Sequence, residues 1–500
     1  MSLQQPLKVV LLKPSKYGPD GAVERFRRGY MPNATLRHIQ ALTPPDIQSR
    51  PVEVRIVDEY VACDLGYLDS LAPETCDLLA LVGVQSHQFQ RGLDLAALAH
   101  SRGVQHIVMG GPHPITCDTT ELQGRGLSFV LAEAEMVWVP ILEDVVRGQL
   151  APVYGEGMRW QKELHTGVII PPTREELRQY VIPMLGLYPS RGCPFNCTFC
   201  SIVQIAGHAI RNEPLEITIA SLKAAATAGV KYIMFTSDNF NKIPGVCELL
   251  KRIIAEDLRL LFFVQCDTQI AKDEELVALL ARAGCFEMFV GVESFSIAVL
   301  KAARKLQNKP ETYVRIVELC TKYGIIAHFS NMIGFPQQDE ASIAEHFEAL
   351  VKLAPPVISV YVMTPLPGTD QYADFLDQGL ISETNLDRFD ALCCTWEHSL
   401  IPSKRLHELL FAHYTDYYEH NLPDGALTAM TLRVRRLCRA QRRFSLDSLR
   451  RKHHPMSGGF DPVVLDRAQD YAELRRNIFG FDLAPLPAVR PLSPEEKAVS

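Results

Sequence analysis

The stretch "MLGLYPSRGCPFNCTFC", residues 184–200, runs from a short apolar segment directly into three closely spaced cysteines. Cys193, Cys197 and Cys200 have the spacing C-x3-C-x2-C, and no second C-x-x-C pair occurs elsewhere in the chain. A structural zinc site generally needs four protein ligands, so this spacing does not favour zinc. Three thiolates can instead hold three irons of a [4Fe-4S] cluster. The fourth iron is then open to a ligand that is not protein.

The apolar segment at residue 184 is the first of six strand patterns that alternate with helix-length segments. The next patterns begin at residues 232, 261, 288, 326 and 358. Six β/α units predict a partial, TIM-like (β/α)6 barrel over residues 184–390. Barrels of this kind carry their chemistry where the strands end. The polar residues at these strand ends are Ser190, Arg191, Ser237, Asp238, Asn239, Gln265, Asp267, Glu293, Ser294, Asn331 and Thr364.

A separate alternation of short β-branched runs and helix-length segments occupies residues 1–150. It predicts an α/β domain with a doubly wound, Rossmann-like parallel sheet. Ligands of such sheets bind at the carboxyl ends of the strands, where the sequence has "VGVQSHQF" (82–89) and "GGPHP" (110–114). Gly110 and Gly111 allow a backbone to approach a large ligand closely, although two glycines before a proline can also simply form a tight turn.

The remaining segments are predicted as a linker (151–183), a helical C-terminal domain (391–480) and a disordered, Pro-rich tail (481–500). The basic runs at 433–444 and 449–454 are interpreted as solvated helix faces rather than as an anionic-substrate surface. Trp396 and His398 are within reach of the barrel mouth, but core packing explains Trp396 equally well.

Composition limits the possible partners. The chain has 500 residues, 47% of them hydrophobic, and a net charge of -7. This charge favours neither nucleic acid nor an anionic membrane surface, and no apolar stretch reaches the length of a membrane span. The 13 cysteines, without a leader-like segment, predict a reducing, cytoplasmic setting.

With these motifs the sequence resembles the radical S-adenosylmethionine (SAM) superfamily. The C-x3-C-x-aromatic-C loop of that family matches Cys193, Cys197, Phe199 and Cys200, and the resemblance covers residues 184–390. It implies that the open iron of the cluster chelates SAM. One electron from a reductant such as flavodoxin or ferredoxin then cleaves a carbon–sulfur bond. The residues implied around SAM are Phe199 near the adenine, Ser237, Asp238 and Asn239 near the methionyl amine, Glu293 at the ribose hydroxyls, and Ser294 and Asn331 within the motifs "GVES" and "NMIGFP".

The N-terminal domain adds a resemblance to the class of radical SAM enzymes that carries a cobalamin-binding domain ahead of the barrel. The residues that this class implies around cobalamin are Gln85, Ser86, Gly110, Gly111, Pro112 and His113. The usual Asp-x-His-x-x-Gly motif is missing, so no lower axial imidazole is expected from it. His87 and His113 are interpreted as loop hydrogen-bonding residues rather than as cobalt ligands.

The resemblance implies a C-methyltransferase that acts, via methylcobalamin, on a small-molecule or natural-product precursor, with aromatic carbons among the acceptors. Two alternatives remain open. One is a radical SAM enzyme that catalyses cyclisation or rearrangement, or transfers another part of SAM. The other is a non-enzymatic iron–sulfur scaffold. The sequence identifies neither the substrate nor whether a 5'-deoxyadenosyl radical is used.

Overall fold

The computed structural model describes residues 5–418 and 462–499. The two basic runs that were predicted as helix faces lie outside these residues. No helix within the described part of the chain has both the length and the apolar character needed to cross a membrane.

The N-terminal domain is built on a seven-stranded sheet with the order β2-β3-β1-β4-β5-β6-β7. All neighbouring strands are parallel except β2 and β3. Helices on both faces cover the sheet, so the predicted doubly wound α/β domain is confirmed. The elements are β1 (Leu7–Lys13), α1 (Ala34–Leu42), β2 (Asp46–Ile47), β3 (Arg50–Asp58), β4 (Leu78–Leu81), α2 (Ser86–Ser101), β5 (His106–Gly110), α3 (Pro112–Thr116), β6 (Ser128–Val130), α4 (Ala134–Arg147) and β7 (Val153–Tyr154).

The second domain is an open barrel of six parallel strands in the order β15-β14-β13-β12-β11-β8. The six strands lie where the sequence patterns predict them. A short antiparallel pair, β9 and β10, flanks the cysteine loop. The elements are α5 (Arg174–Arg178), β8 (Met184–Leu187), β9 (Ser190–Arg191), α6 (Ile202–Ala206), β10 (Arg211–Asn212), α7 (Leu215–Thr227), β11 (Tyr232–Phe235), α8 (Val246–Glu256), β12 (Leu261–Cys266), α9 (Glu274–Ala283), β13 (Cys285–Glu293), α10 (Ile297–Ala302), α11 (Tyr313–Tyr323), β14 (Ile326–Ile333), α12 (Glu340–Leu353), β15 (Val357–Val362), α13 (Asp370–Asp377) and α14 (Ser403–Asp416).

Helix α9 shows how the local sequence sets these elements. Asp273 caps the helix by accepting a hydrogen bond from the Leu276 amide, and Gly284 ends it with a φ of 109°. Glycine adopts this left-handed conformation without steric cost. The apolar face buries Leu276 and Leu280 against the barrel, and each fully buried leucine contributes about 1.5–3 kcal/mol.

The structure corrects the predicted boundaries in two places. Val153 and Tyr154, predicted to lie in the linker, pair with β6, so the first domain extends to residue 154. Helix α14 packs on the barrel, where the Tyr414 hydroxyl donates to the Ile358 carbonyl at 3.0 Å. This part of the C-terminal region therefore belongs to the barrel instead of forming a domain of its own.

The C-terminal tail, predicted to be disordered from residue 481, is ordered over its described part. It follows helix α15 (Ala472–Phe479) and ends in α16 (Pro494–Val499). The Ala484 amide donates to Gln90 at 2.7 Å, and the Arg490 guanidinium donates to the carbonyls of Ile115 and Leu131. The first domain supplies acceptors for these donors of the tail, and composition alone does not reveal such partners.

A buried cluster of charges attaches this C-terminal segment to the first domain. The guanidinium of Arg91 lies 2.6 Å from Glu59 and 3.2 Å from Asp466, and Arg25 pairs with the same two carboxylates. The side chains of both arginines and of Glu59 are inaccessible to solvent. Removing one member of such a cluster leaves a buried charge without compensation.

We expect Asp466→Asn to destabilise the protein by about 3–5 kcal/mol at neutral pH. Burial opposes ionisation of Asp466, but Arg25 and Arg91 outweigh it and hold its pKa below the usual value. Its contribution is therefore complete above the ordinary aspartate pKa of about 4 and decreases as the pH falls through the lower value in the folded protein. Denaturant unfolding at two pH values measures this. Asp482→Asn, on an exposed side chain of the same segment, is the control, and equal effects of the two variants would contradict the account.

Candidate cofactor site

The three cysteines lie in the loop between β9 and β10, at the carboxyl end of the first barrel strand. Gly192 precedes them with a φ of 103°, and a Cβ there would approach the Ala209 carbonyl oxygen to 2.1 Å. The loop is held by backbone hydrogen bonds from Cys193 to the Gly207 carbonyl and from Cys200 to the Cys197 carbonyl, each 3.1 Å. All three thiols are free, so the loop is shaped by its backbone and not by a disulfide.

Two side-chain amides point at these thiols. Asn239 Nδ2 lies 3.9 Å from the sulfur of Cys193, and Gln307 Nε2 lies 3.7 Å from the sulfur of Cys197. Asp267 fixes Asn239 by accepting a hydrogen bond of 2.9 Å. Amide donors to sulfur are typical of iron–sulfur sites, where they stabilise thiolate charge.

The chemistry of this donor set fits a cluster with three thiolate ligands. Burial raises the pKa of Cys200 to about 12, so a metal has to displace the thiol proton on binding. In residues 5–418 and 462–499, no group of three or more His, Cys, Asp or Glu side chains is already arranged to hold a metal ion. The three thiols therefore lie in one loop, but their sulfur atoms do not point at a common metal position.

Glu293, at the end of β13, has an unusual backbone. Its φ is 62°, a left-handed conformation that is costly for a residue with a Cβ, and the pairing of β13 with β14 shifts just before it. The Asn308 amide donates to the carbonyls of Gly291 and Val292, which holds this bulge in place. The structure thus maintains a strained conformation at the residue that the family resemblance implies at the ribose of SAM.

The Glu293 carboxylate forms a buried ion pair with Lys305, at 2.6 Å. A Cβ on Gly291 would lie 2.8 Å from both charged groups, so only glycine leaves room for the pair. Burial opposes the charge of Lys305, but Glu293 and the thiol of Cys197 raise its pKa above the usual value. The lysine is therefore protonated at neutral pH.

The other residues implied around SAM differ in their burial and in their hydrogen bonds. Phe199 is half-buried with an edge contact to Phe335, beside the ammonium of Lys305. Ser237 is fully buried, and its hydroxyl has no hydrogen-bond partner among the described residues. Ser294 accepts a hydrogen bond from the Ser296 amide and shapes the turn after β13.

Asn331 is the residue of β14 that pairs with Glu293, whereas Asp238 follows the end of β11. Asn331 lies two residues from Phe329 and from Ile333 and so shares their face of β14, which packs in the core between barrel and helices. The Asn331 amide donates to the Phe329 carbonyl. Asp238 accepts a hydrogen bond of 2.7 Å from the Gly192 amide, and burial raises its pKa to about 6. Asp238 also lines a cavity between the two domains.

This cavity has a volume of about 230 Å³ and is bounded by both domains. Gly110, Gly111 and Pro112 form one wall at the end of β5, and Arg191 and Asp238 contribute from the barrel. The interior is mostly apolar, with side chains of α4 such as Val137 and Trp138. It is smaller than the pocket of a typical drug-sized ligand.

Ion pairs join the two domains beside the cavity. Glu133 binds Arg211 at 2.7 Å and Arg191 at 3.1 Å, and Glu135 binds Arg191 and His38 at 2.7 Å each. Burial opposes ionisation of Glu135, but Arg191 and His38 hold its pKa well below the usual value. Both arginines belong to the strand pair that flanks the cysteine loop, so these contacts fix that loop relative to the first domain.

Three of the six residues implied around cobalamin do not line the cavity. His113 is buried, stacks on Phe89 with ring centroids 3.8 Å apart, and bonds to Ser86 at 3.0 Å. Burial lowers the pKa of His113 to about 3. Gln85 is exposed at the start of α2. His113 thus forms a hydrogen bond within the first domain, as predicted, but from helix α3 and not from a loop.

His87 lies near Lys16 and Lys13, and burial together with these charges lowers its pKa to about 3.

Trp396 and His398 have structural roles. The Trp396 indole donates to the Met363 carbonyl, and His398 Nδ1 accepts hydrogen bonds from the amides of Leu400 and Ile401. Core packing therefore explains both residues.

Sequence reasoning missed several residues of the site. Lys305 and Gln307 follow α10, where no pattern marks them as neighbours of the cysteine loop. Glu133 meets Arg211, and His38 meets Arg191, only across the domain boundary. The one available signal was "LAEAE" (131–135), in which two acids follow strand β6 at its carboxyl end.

Comparisons with known proteins agree with this architecture. The radical SAM superfamily profile matches residues 187–350. Bacteriochlorophyllide d C-8(2)-methyltransferase of Chlorobaculum tepidum is 25% identical over 397 residues, covering 75% of this chain and 81% of that enzyme.

Two solved structures share the fold. The radical SAM methyltransferase TsrM of Kitasatospora setae, with cobalamin and a [4Fe-4S] cluster bound, has a TM-score of 0.62 at 17% identity and covers 85% of this chain and 90% of its own. The cobalamin-dependent SAM radical enzyme OxsB, with aqua-cobalamin and SAM bound, has a TM-score of 0.60 at 14% identity and covers 95% of this chain and 79% of its own. The chain thus carries a radical SAM domain over residues 187–350, and its fold is that of the solved cobalamin-dependent enzymes.

Proposed function

We propose that this protein is a cobalamin-dependent radical SAM C-methyltransferase that acts on a small molecule. The observation that carries the proposal is the shared cavity. One wall is the glycine-rich strand end of the first domain, and another includes Arg191, which belongs to the strand pair that flanks the cysteine loop. A cofactor seated in the first domain would therefore lie beside the loop that binds the cluster.

The residues present fit three cofactors. Cys193, Cys197 and Cys200 would hold the cluster, and Glu293 would accept hydrogen bonds from the ribose of SAM. The apolar cavity at Gly110 and Gly111 would take the nucleotide base of cobalamin. When bound, the cluster supplies one electron and cobalamin supplies a carrier for a methyl group. Ser237, Asp238 and Asn239 remain proposed neighbours of SAM, although Asp238 also faces the cavity.

The protein's own groups position these cofactors. Asn239 and Gln307 donate toward the sulfurs, and the ion pairs of Arg191 with Glu133 and Glu135 keep the cysteine loop against the first domain. One imidazole of the first domain, His38 of α1, lines the cavity, and its Nε2 lies 2.7 Å from the Glu135 carboxylate. His113 does not line the cavity and bonds to Ser86. The proposed cobalamin therefore has no lower ligand from His113.

The barrel lumen suggests the kind of substrate. The chain neighbours of Phe263 and of Phe289 belong to the core between barrel and helices. Because successive side chains of a strand point to opposite faces, these two rings face the lumen, with centroids 6.2 Å apart. Both are partly exposed, as are Met234, Met332 and Tyr361. An apolar, ring-containing small molecule fits such a surface. The named substrate of the Chlorobaculum tepidum relative, a bacteriochlorophyllide, is of this kind.

We also propose a one-electron reductant of the flavodoxin or ferredoxin class and a reducing, cytoplasmic setting. Every cysteine in the described ranges is free, which agrees with that setting.

Product analysis tests the function. The anaerobically reconstituted full chain is incubated with SAM, a reductant and hydroxocobalamin, with cobalamin omitted in the control. We expect S-adenosylhomocysteine only when cobalamin is present. Formation of 5'-deoxyadenosine alone, irrespective of cobalamin, would overturn methyl transfer and favour the alternative of cyclisation, rearrangement or transfer of another part of SAM.

A further inference from the structure

The segment Lys305–Asn308, just after α10, touches both halves of the radical SAM site. Gln307 donates toward the sulfur of Cys197 at 3.7 Å. Asn308 donates to the carbonyls that precede Glu293, at 2.9 and 2.7 Å. Lys305 binds the Glu293 carboxylate itself. Four consecutive residues thus connect the cysteine loop with the strained end of β13.

Lys305 brings a buried positive charge to this place. Its residue is only 9% exposed, and its ammonium lies 5.6 Å from the ring centroid of Phe199, which directly precedes Cys200. Gln307, two residues further along the chain, reaches the sulfur of Cys197, so the ammonium and this amide lie on the same side of the cysteine loop. In a site shielded from water, a charge at this range has a larger effect than at the surface.

We propose that Lys305 is a positioning residue that orients Glu293 toward the nucleoside of SAM and raises the reduction potential of the cluster. The inference rests on the proposed function, since it requires the cluster. Reduction adds one electron from the reductant to the cluster and breaks no bond. The added negative charge is stabilised by a nearby cation, and net charge and hydrogen bonds to sulfur are among the factors that set such potentials.

Two substitutions separate the two roles. Lys305→Met removes the charge and the hydrogen bond to Glu293, whereas Lys305→Gln removes the charge but keeps a donor. In the reconstituted full-length protein we expect the midpoint potential, measured by EPR-monitored redox titration without SAM, to shift to more negative values in both variants. SAM binding, measured by equilibrium dialysis, weakens about tenfold in Lys305→Met, the loss expected for one charge-assisted hydrogen bond, and less in Lys305→Gln.

Matched controls show whether the effect is specific. Lys305→Arg keeps the charge, and we expect a potential close to that of the wild type. Lys301→Met removes an exposed lysine from α10, and we expect no change in potential or in SAM binding. If Lys305→Met does not assemble a cluster, the polar Lys305→Gln variant still reports the potential.

Unchanged potentials in Lys305→Met and Lys305→Gln, at full iron and sulfide content, would overturn the role of Lys305. An equal shift in Lys301→Met would do the same. Failure of the proposed function looks different, because the wild type itself would then lack the cluster or form no S-adenosylhomocysteine.

Discussion

Replacement of Cys193, Cys197 and Cys200 together by alanine is expected to abolish iron–sulfur binding and SAM cleavage while the chain still folds. The first effect follows because these thiols are the proposed ligands of the cluster. The fold should survive because the loop is held by backbone hydrogen bonds and two of the three thiols are only partly buried. Wild-type protein should contain about four irons and four sulfides per chain, and the variant none. Circular dichroism measures the fold.

The matched control replaces three cysteines outside the loop, Cys63, Cys247 and Cys393, which are exposed or partly exposed. This variant should keep its iron, its sulfide and its SAM cleavage. A loop variant that retains the cluster, or a wild type that binds stoichiometric zinc without an iron–sulfur signal, would contradict the assignment.

The second large effect is expected from Ala134→Phe, which places a phenyl ring in the cavity between the domains. Ala134 lines this cavity at the first turn of α4 and is only partly buried, so the larger side chain can be accommodated without rebuilding the core. If the cavity holds the nucleotide base of cobalamin, hydroxocobalamin binding should be lost, while iron and sulfide content stay at the wild-type level. Absorbance after desalting measures the bound cobalamin.

Val139→Phe is the control, because Val139 is exposed on the same helix and does not line the cavity. A substitution of Gly111, which also lines the cavity, is less suitable for testing cobalamin binding. Its φ is 138°, and a Cβ there would lie 2.2 Å from the Val84 backbone nitrogen, so any side chain disturbs the turn itself. Wild-type affinity in Ala134→Phe would show that the cavity is not the cobalamin site.

The strands and the cysteine loop were predictable because their signals are local. Alternation of apolar residues along β11 to β15, and the spacing of Cys193, Cys197 and Cys200, depend only on neighbours in the chain. The same holds for the glycines at the end of β5, where a left-handed turn requires Gly111. These features needed no knowledge of which elements meet in space.

The charged parts of the site were not predictable in this way. Lys305 meets Glu293 across a bulge that depends on Asn308, and Glu133 meets Arg211 only when two domains pack together. Ion pairs between distant residues have no sequence period. Asn331 shows what a local motif leaves open. β14 pairs it with Glu293, but it shares a strand face with the buried Phe329 and Ile333.

The central claim, that one chain brings a radical SAM cluster and cobalamin together, is tested most directly by cobalamin stoichiometry. Full-length protein is reconstituted anaerobically, incubated with hydroxocobalamin and desalted, and its cobalt, iron and sulfide are quantified. The account predicts about one cobalamin per chain together with one cluster. After one-electron reduction of the bound Co(III) by a mild thiol reductant, it predicts a Co(II) EPR spectrum without nitrogen superhyperfine splitting. Protein that carries the full cluster and retains no cobalamin would contradict it.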